Sequence, residues 1–420
     1  MSISFSPPYM DDSILNEVVD TLKSGWITTG PKTRVLEQEV AAFCGIGNVL
    51  AVNSATSAMM LVLNWFGVGQ GDEVIIPAYT YCATALAVMH LGAKPVMVDV
   101  GEDFNIDPDK IGPAITEKTK AVIAVDFAGW PCKYSEIYAT IAAQESRSKF
   151  KPSAPAQNAL GRILLLADSA HGLGGSYKSR PLGGIADFTV FSLHAVKNVT
   201  AAEGGLICFN LPEPFDNKVI YDVLKLWSLN GQSKDAYTKS LAGNWKYDIL
   251  VPGYKMSLPD VLAAIALAQL RKYKQSLWNE RKRIFDFYDN HLSRFSWAIC
   301  PPFHAPTESS SYHLYPLRIK DITEAERDKI IAVLSSLEIS VNVHFTPLPM
   351  LSLFRNMGFE IADYPNSYAQ YANEISLPIY PQLEEHSCAK IVEAIASAVA
   401  SVIGQKEPTV VSSFTLTNCI

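Results

Sequence analysis

The chain has 420 residues, of which 48% are hydrophobic and 18% are charged, and its formal net charge is -7. Such a chain can bury a large core, and its length suggests two or three domains. Because the net charge is negative, the chain as a whole does not attract nucleic acid, and we expect no nucleic-acid partner. The seven cysteines are scattered and form no CxxC pair. We therefore expect neither a disulfide framework nor a bound metal.

The N-terminal stretch, Met1–Met10, lacks a basic start followed by an apolar core, so no secretory signal is expected. No uninterrupted apolar stretch approaches the roughly 18 residues that a membrane span would need. These features, together with the cysteine pattern, predict a cytoplasmic protein without a membrane span.

Helical and strand patterns alternate along the first half of the chain. The helical patterns are Val35–Phe43, Ser54–Trp65 and Tyr81–His90. The strand patterns are Asn48–Val52, Glu73–Ile76, Lys94–Asp99, Ala121–Val125, Ile163–Ala167, Thr189–Ser192 and Gly205–Phe209. This alternation predicts an α/β fold, with a mostly parallel sheet covered by helices on both faces.

The second half has a different organisation. The polar stretch Ala143–Arg162 has no periodicity and predicts a surface insertion. A long helical pattern covers Leu258–Phe295. It is followed by patterns for a strand, a helix, a strand and a final helix, at His313–Ile319, Glu324–Leu337, Ser340–His344 and Ser387–Ile403. We predict a large domain over 1–257 that includes an N-terminal arm, a smaller α+β domain over 258–404 that includes the long linking helix, and a tail over 405–420.

Lys197 lies between two apolar strand patterns, in a link rich in polar residues that starts at Ser192 and precedes Glu203–Gly205. An isolated lysine is usually a solvated surface group. A lysine in a dry site can instead lose its proton and become a nucleophile, which pyridoxal phosphate (PLP) enzymes need in order to attach their cofactor. The local pattern suggests such a site.

Asp168 ends the apolar run Leu164–Ala167 and begins the sequence Asp-Ser-Ala-His171. An acid at this point could simply cap a turn. Strand ends in an open α/β sheet, however, face the ligand crevice. A carboxylate there can pair with a protonated pyridine nitrogen and keep the ring an electron sink. We favour this functional interpretation.

Two further clusters follow strand ends. Thr56 and Ser57 belong to Asn-Ser-Ala-Thr-Ser at a strand-to-helix junction, where they suit helix capping and a phosphate cradle about equally well. Tyr81 begins a helix after the second strand and is either a core residue or a ring that stacks on a flat cofactor. Lys255, in a Pro-Gly-Tyr-Lys turn, is most simply a solvated turn residue.

In this order, the clusters resemble the DegT/DnrJ/EryC1/StrS family of sugar aminotransferases. The similarity spans nearly the whole chain up to Ile403, and so many motifs in register are far more specific than any one alone. The matching segments are Ser24–Pro31, Gly71–Pro77, Asp168–His171, Ser192–Lys197, Glu203–Gly205, Ala263–Ile265, His313–Tyr315, Val343–Phe345 and Ile375–Pro378.

The resemblance implies a type I aminotransferase fold, PLP as cofactor, and a homodimer with shared active sites. It implies that Lys197 carries the cofactor and that Asp168 pairs with the pyridine nitrogen. Ser192, Thr56 and Ser57 match the phosphate cradle. Tyr81 matches the aromatic that stacks on the ring, and His171 lies where the family has a His or Gln near the ring. Lys255 falls in the loop that reaches the partner's phosphate.

The opening with Trp26 and the turn at Lys255 resemble the branch that makes 4-amino-4-deoxy-L-arabinose and the aminotransferases for capsular sugars. This implies transfer from L-glutamate to C4 of a UDP- or dTDP-linked 4-keto sugar, for surface polysaccharide or lipopolysaccharide. Leu193, Met256–Ser257 and Asn230–Gly231 depart from the family pattern, as does the insertion near Lys151. These departures affect the expected sugar more than the expected cofactor.

Three alternatives stay open at this point. A sugar dehydratase of the same family, which uses pyridoxamine phosphate (PMP), would carry a histidine where this chain has Lys197. A homologue that binds a nucleotide sugar without turnover would lack part of the catalytic set. A nucleotide-dependent oxidoreductase is suggested only by Gly172–Gly175, which does not have the GxGxxG spacing.

Overall fold

The computed structural model describes residues 2–404 except 236, 238, 240, 241 and 244. The predicted tail, 405–420, lies outside the described residues. The strands are β1 Asn48–Val52, β2 Glu73–Pro77, β3 Lys94–Val98, β4 Thr119–Val125, β5 Leu164–Asp168, β6 Ser176–Tyr177, β7 Arg180–Pro181, β8 Phe188–Ser192, β9 Gly205–Phe209, β10 Ala298–Ile299, β11 Tyr315–Ile319 and β12 Glu374–Leu377.

The helices flank these strands in chain order. They are α1 Asp12–Lys23, α2 Pro31–Cys44, α3 Ala55–Trp65, α4 Cys82–Met89, α5 Pro108–Ala114, α6 Tyr134–Ala142, α7 Gln144–Lys149, α8 Pro155–Leu160, α9 Asn217–Ser228, α10 Asp260–Lys272, α11 Trp278–Leu292, α12 Glu324–Ser336, α13 Ser352–Asn356, α14 Pro365–Asn373 and α15 Glu385–Ile403. A π-helical turn at Tyr273–Leu277 joins α10 to α11.

A seven-stranded sheet, in the order β1-β9-β8-β5-β4-β2-β3, organises the first half. All neighbouring pairs are parallel except those of β9, which runs antiparallel to both β1 and β8. Strands such as Leu164–Asp168 are buried along their whole length, because helices cover both faces. The carboxyl ends of the parallel strands therefore meet at one edge, where ligands bind in such sheets.

Local sequence signals set several helix ends. Pro31 begins α2, and Gly45 ends it with a φ of 66°, a left-handed conformation that glycine adopts without strain. Thr323 and Glu326 form a capping box at the start of α12, in which each side chain accepts from the other's backbone N–H.

The buried apolar side chains form two clusters in the described chain. One surrounds the large sheet and includes Val74, Ile123 and Leu166. The other lies around the sheet β10-β11-β12 and the helices α11, α12 and α15. It also takes in Phe104 and Phe127 from the first half, so the two units share a contact surface. A domain boundary near residue 257 remains a prediction.

The stretch Ala143–Arg162, predicted to be a surface insertion, is mostly exposed and contains two short helices, α7 and α8. Gln157 on α8 donates to the carbonyl oxygen of Phe66 and ties the stretch to the large unit. One prediction of local structure is wrong. The alternating segment Ser340–His344 is not a strand. Asn342 alone pairs with Ser376 as an isolated bridge, and the chain then turns toward the large unit.

Within the described residues, one helix, Glu385–Ile403, is long and apolar enough to cross a membrane. Cys388, Ile391 and Ile395 on this helix are fully buried in the second core cluster. A buried apolar face of this kind is typical of a core helix.

Candidate active site

A cavity of about 610 Å³ lies at the carboxyl ends of β5 and β8. The predicted site residues that line it are Thr56, Tyr81, Asp168, His171, Ser192 and Lys197. Residues far apart in sequence thus meet at the edge of the sheet where the topology places a ligand.

Lys197 lies in the loop after β8 and is half-buried. Burial lowers the pKa of its amine to about 8, and the nearby Asp168 carboxylate opposes that shift. A larger fraction of this amine is therefore neutral at neutral pH than in an ordinary lysine. A neutral amine is the form that attacks a carbonyl carbon.

Asp168 ends β5 and is buried. Its Oδ2 accepts a hydrogen bond from Thr84 Oγ1 at 2.7 Å, and its Oδ1 accepts from the Ala170 backbone N–H at 3.3 Å. Burial raises the pKa of this carboxyl, while the Thr84 hydroxyl, the Ala170 N–H and the Lys197 charge oppose the rise. The group is thus an acceptor held in a fixed orientation.

The first turn of α3 lies at the cavity. Ser54 caps this helix, because its Oγ accepts from the Ser57 N–H at 3.0 Å. Gly205 on β9 permits this arrangement, since a Cβ there would lie 2.4 Å from the Ser54 carbonyl carbon. The first-turn N–H groups and the Thr56 hydroxyl can therefore bind an anion.

Ser57, by contrast, lies behind Ser54. The two hydroxyl oxygens are 2.9 Å apart, and Ser57 is not among the residues that line the cavity. Ser192, at the end of β8, does line it, and its Oγ accepts from the His194 N–H at 3.2 Å.

Tyr81 and His171 present rings to the cavity. Tyr81 precedes α4, is 60% exposed, and lies 5.8 Å from the Phe345 ring between centroids. His171 Nδ1 accepts from the Ala128 N–H at 3.2 Å, which places the ring proton on Nε2. Burial and the Lys197 charge lower the pKa of His171 well below its ordinary value, so its ring is neutral.

Lys255 does not line the cavity of its own chain. Its side chain is exposed, and its backbone pairs with Leu229 in an isolated bridge. Within one chain, then, the structure separates Lys255 from the other predicted residues.

The cavity also contains residues that the sequence analysis did not single out, such as Phe5, Ser54, His313 and His344. Ser54 and Thr84 lie in the same sequence clusters as Thr56 and Tyr81, which were predicted to contact the cofactor instead. His313 and His344 lie in family motifs to which no role had been given. Phe5 offered no signal, because the N-terminal arm reaches the cavity through a long-range bridge between Ile3 and Ile339.

These groups fit PLP by their chemistry. The cofactor has an aldehyde, a phosphate and a pyridine nitrogen, and the cavity offers the amine of Lys197, the amino end of α3 and the buried carboxylate of Asp168. The cavity volume is in the range usual for small-molecule sites.

Comparisons with known proteins agree with this geometry. The PLP form of Spr1654 from Streptococcus pneumoniae, named a sugar aminotransferase, is 41% identical, with a TM-score of 0.91 and coverage of 96% of this chain and 100% of that one. PseC of Helicobacter pylori, an aminotransferase involved in pseudoaminic acid biosynthesis, is 26% identical with a TM-score of 0.84. The match covers 96% of this chain and 100% of PseC. The spore coat polysaccharide biosynthesis protein SpsC of Bacillus subtilis is 34% identical, covering 94% and 97%.

The predicted fold is confirmed by these structural neighbours, and PLP is confirmed as the cofactor by the PLP and PMP forms of Spr1654. The DegT/DnrJ/EryC1/StrS aminotransferase family matches residues 8–396. The chain therefore belongs to the DegT/DnrJ/EryC1/StrS family of PLP-dependent aminotransferases.

Proposed function

We propose that this protein transfers an amino group from L-glutamate to a nucleotide-linked keto sugar, at C4 of a UDP- or dTDP-4-keto sugar. The product would enter surface polysaccharide or lipopolysaccharide biosynthesis, in the cytoplasm. The observation that carries the proposal is the pairing of a lysine of lowered pKa with a buried aspartate in one cavity. Similarity to SpsC and PseC supports the sugar class.

In this proposal, Lys197 attaches the cofactor, and Thr56 and Ser192 help to bind its phosphate. Ser57 supports the cradle from behind, through Ser54. Asp168 would pair with the pyridine nitrogen, and Tyr81 and His171 would border the ring. Bound PLP supplies an electron sink for the carbanion at the substrate carbon. Once free, Lys197 Nζ would take the proton from that carbon as general base and deliver it, as general acid, to the carbon that carried the cofactor's aldehyde. Two half-reactions in ping-pong order are expected.

The alternatives are less well supported by the residues present. A family dehydratase has histidine at the lysine position, and this chain has Lys197. A binding protein without turnover would not need a lysine of lowered pKa beside Asp168. Gly172–Gly175, which suggested an oxidoreductase, forms a tight turn in which the Gly175 N–H donates to the Gly172 carbonyl at 2.8 Å.

The proposed substrate class can be tested with a panel of UDP- and dTDP-4-keto sugars. We expect at least one to gain ¹⁵N from ¹⁵N-labelled L-glutamate, detected by mass spectrometry together with 2-oxoglutarate. Lys197→Ala protein is the matched blank. If glutamate alone is converted and no sugar in the panel gains nitrogen, the substrate class is wrong. Loss of water from a sugar without gain of nitrogen would favour the dehydratase.

We also propose a homodimer in which Lys255 reaches the partner's cofactor phosphate. An exposed cation of this kind would pair with a dianionic phosphate. The same chain exposes several large apolar side chains nearby, including Trp245, which is 75% exposed, and Ile249 and Leu250. Exposed apolar side chains favour a protein interface where they form one patch.

Hybrid dimers test the shared site. We expect Lys197→Ala and Lys255→Ala to be impaired alone, and mixed dimers to recover part of the activity. In a hybrid, one site carries both defects and the other carries neither. Recovery near one quarter of the wild-type rate per chain is expected for random mixing, because half of the dimers are hybrids with one intact site of two. Full activity of Lys255→Ala, or an active monomer in sedimentation, would rule out the shared site.

A further inference from the structure

His344 lines the cavity but has no role in the proposed chemistry so far. It is held from behind by a chain of hydrogen bonds. Its ring Nδ1 lies 2.9 Å from Ser376 Oγ, and Ser376 Oγ in turn lies 2.5 Å from Glu374 Oε1. Glu374 and Ser376 are both fully buried on β12.

We propose that Glu374 is a positioning residue that determines, through Ser376, which ring nitrogen of His344 carries the proton. In the carboxylic-acid form of Glu374, His344 offers an Nε2–H donor to an oxygen of the ligand in the cavity. In the carboxylate form, it offers a bare Nε2. That the oxygen belongs to a keto sugar rests on the proposed function, but the arrangement of protons does not.

The His344 ring is neutral. Burial, and secondarily the charge of Lys197, lower the pKa of His344 to about 3. A neutral imidazole has one ring proton, so one nitrogen donates and the other accepts. What His344 presents to the cavity is therefore fixed by what Ser376 does at Nδ1.

One carboxyl oxygen of Glu374 already accepts a hydrogen bond from the backbone. Its Oε2 accepts from the His344 backbone N–H at 3.0 Å, and a buried backbone N–H needs an acceptor. Only Oε1 faces Ser376. As a carboxylate, Oε1 accepts the Ser376 proton, so Ser376 Oγ accepts from Nδ1–H and Nε2 is bare. As an acid, Oε1–H donates to Ser376, which then donates to Nδ1, and the proton lies on Nε2.

Two arginines and a tyrosine lie around Glu374 and His344. Arg327 is buried beside it and donates to the Glu374 backbone carbonyl at 3.4 Å, and Arg318 stands opposite on β11. Tyr79 donates to the His344 carbonyl. Neither arginine forms an ion pair with the Glu374 carboxyl in the described chain. Burial accordingly raises the pKa of Glu374 to about 8, against the opposing effect of Ser376, the His344 N–H and Arg327.

Below its raised pKa, Glu374 is an acid and His344 carries its proton on Nε2. As the pH rises through about 8, the carboxylate forms and the proton moves to Nδ1. A donor at Nε2 can bind a keto or hydroxyl oxygen, whereas a bare Nε2 would repel a keto oxygen.

Glu374→Gln should lock the donor form. Its amide oxygen must accept the His344 N–H, which turns the amide NH₂ toward Ser376. Ser376 then donates to Nδ1 at every pH, so Nε2 keeps its proton. Ser376→Ala, in contrast, removes the connection and leaves the tautomer independent of Glu374. Glu37→Gln is the matched control, because Glu37 is a buried carboxyl that accepts from the Ala51 N–H away from the cavity.

The test uses the PLP-loaded enzyme labelled with ¹⁵N-histidine, with the His344 signals assigned from a His344→Gln spectrum. We expect wild type and Glu37→Gln to move from a protonated to a bare Nε2 between about pH 6 and about pH 10, and Glu374→Gln to keep a protonated Nε2 throughout. A wild-type tautomer that does not change, or one that still changes in Glu374→Gln or Ser376→Ala, would overturn the proposal.

Kinetics give a second readout. In the sugar half-reaction, Glu374→Gln and wild type should have similar kcat/KM at about pH 6, and the variant should be about tenfold faster at about pH 10, which corresponds to one neutral hydrogen bond. Equal rates at both pH values would overturn the ligand part of the proposal. If no nucleotide sugar is converted by wild type, the proposed function fails, while the histidine spectra still decide the proton arrangement.

Discussion

Replacing Lys197 with alanine should reduce both half-reactions by at least roughly four orders of magnitude, because the substitution removes the attachment point and the group that moves the proton. Borohydride reduction of the wild-type enzyme, followed by peptide mapping, should place the cofactor mass on Lys197. The variant should give no such peptide, yet it should still bind PMP, since Thr56, Ser192 and Asp168 are unchanged.

The matched control is Lys329→Ala, which removes an exposed lysine on α12 and should keep the rates within about twofold of wild type. A small amine in the buffer should partly restore proton transfer in Lys197→Ala, because the space left by the side chain opens into the cavity. A cofactor label on another lysine, or near-normal turnover by the variant, would show that Lys197 is not the residue that carries the cofactor.

The large sheet could be predicted closely, and for a physical reason. Strands that are buried on both faces form short apolar runs, and β1 and β9 were predicted at the residues where they occur, Asn48–Val52 and Gly205–Phe209. Because Asp168 ends β5 and Lys197 follows β8, the predicted strands already placed both residues after carboxyl ends of the sheet. In this fold the site follows from topology more than from any single motif.

The part of the cavity built by the second half of the chain was harder to predict. The alternation at Ser340–His344 is a sound strand signal, but the segment is held by long-range hydrogen bonds instead of by a ladder. Tyr79 binds the His344 carbonyl, and Glu374 binds the His344 N–H. Such bonds join residues far apart in sequence, so local sequence patterns cannot predict them.

Asp168→Asn should bind PLP and yet catalyse the glutamate half-reaction roughly 10²- to 10³-fold more slowly, the usual range for loss of one preorganised electrostatic group. The amide is neutral, so it cannot stabilise a protonated pyridine nitrogen, and the carbanion at the substrate carbon loses its electron sink. The Thr84 hydroxyl, which donates to Oδ2 at 2.7 Å, can still donate to the amide oxygen, so the variant should lose only the 3.3 Å hydrogen bond from the Ala170 N–H. Stopped-flow absorbance with L-glutamate measures the rate.

The control for this prediction is Asp99→Asn, because Asp99 is also a buried aspartate that follows a strand of the same sheet. Its carboxylate accepts from the backbone N–H groups of Asn366 and Ser367 at 2.8 Å each, at the start of α14. This is a capping role, so the variant should lose about 1 kcal/mol of stability and keep the half-reaction within about twofold. If Asp168→Asn behaves in the same way as Asp99→Asn, then Asp168 is also a capping residue, and the electron sink is maintained by another group.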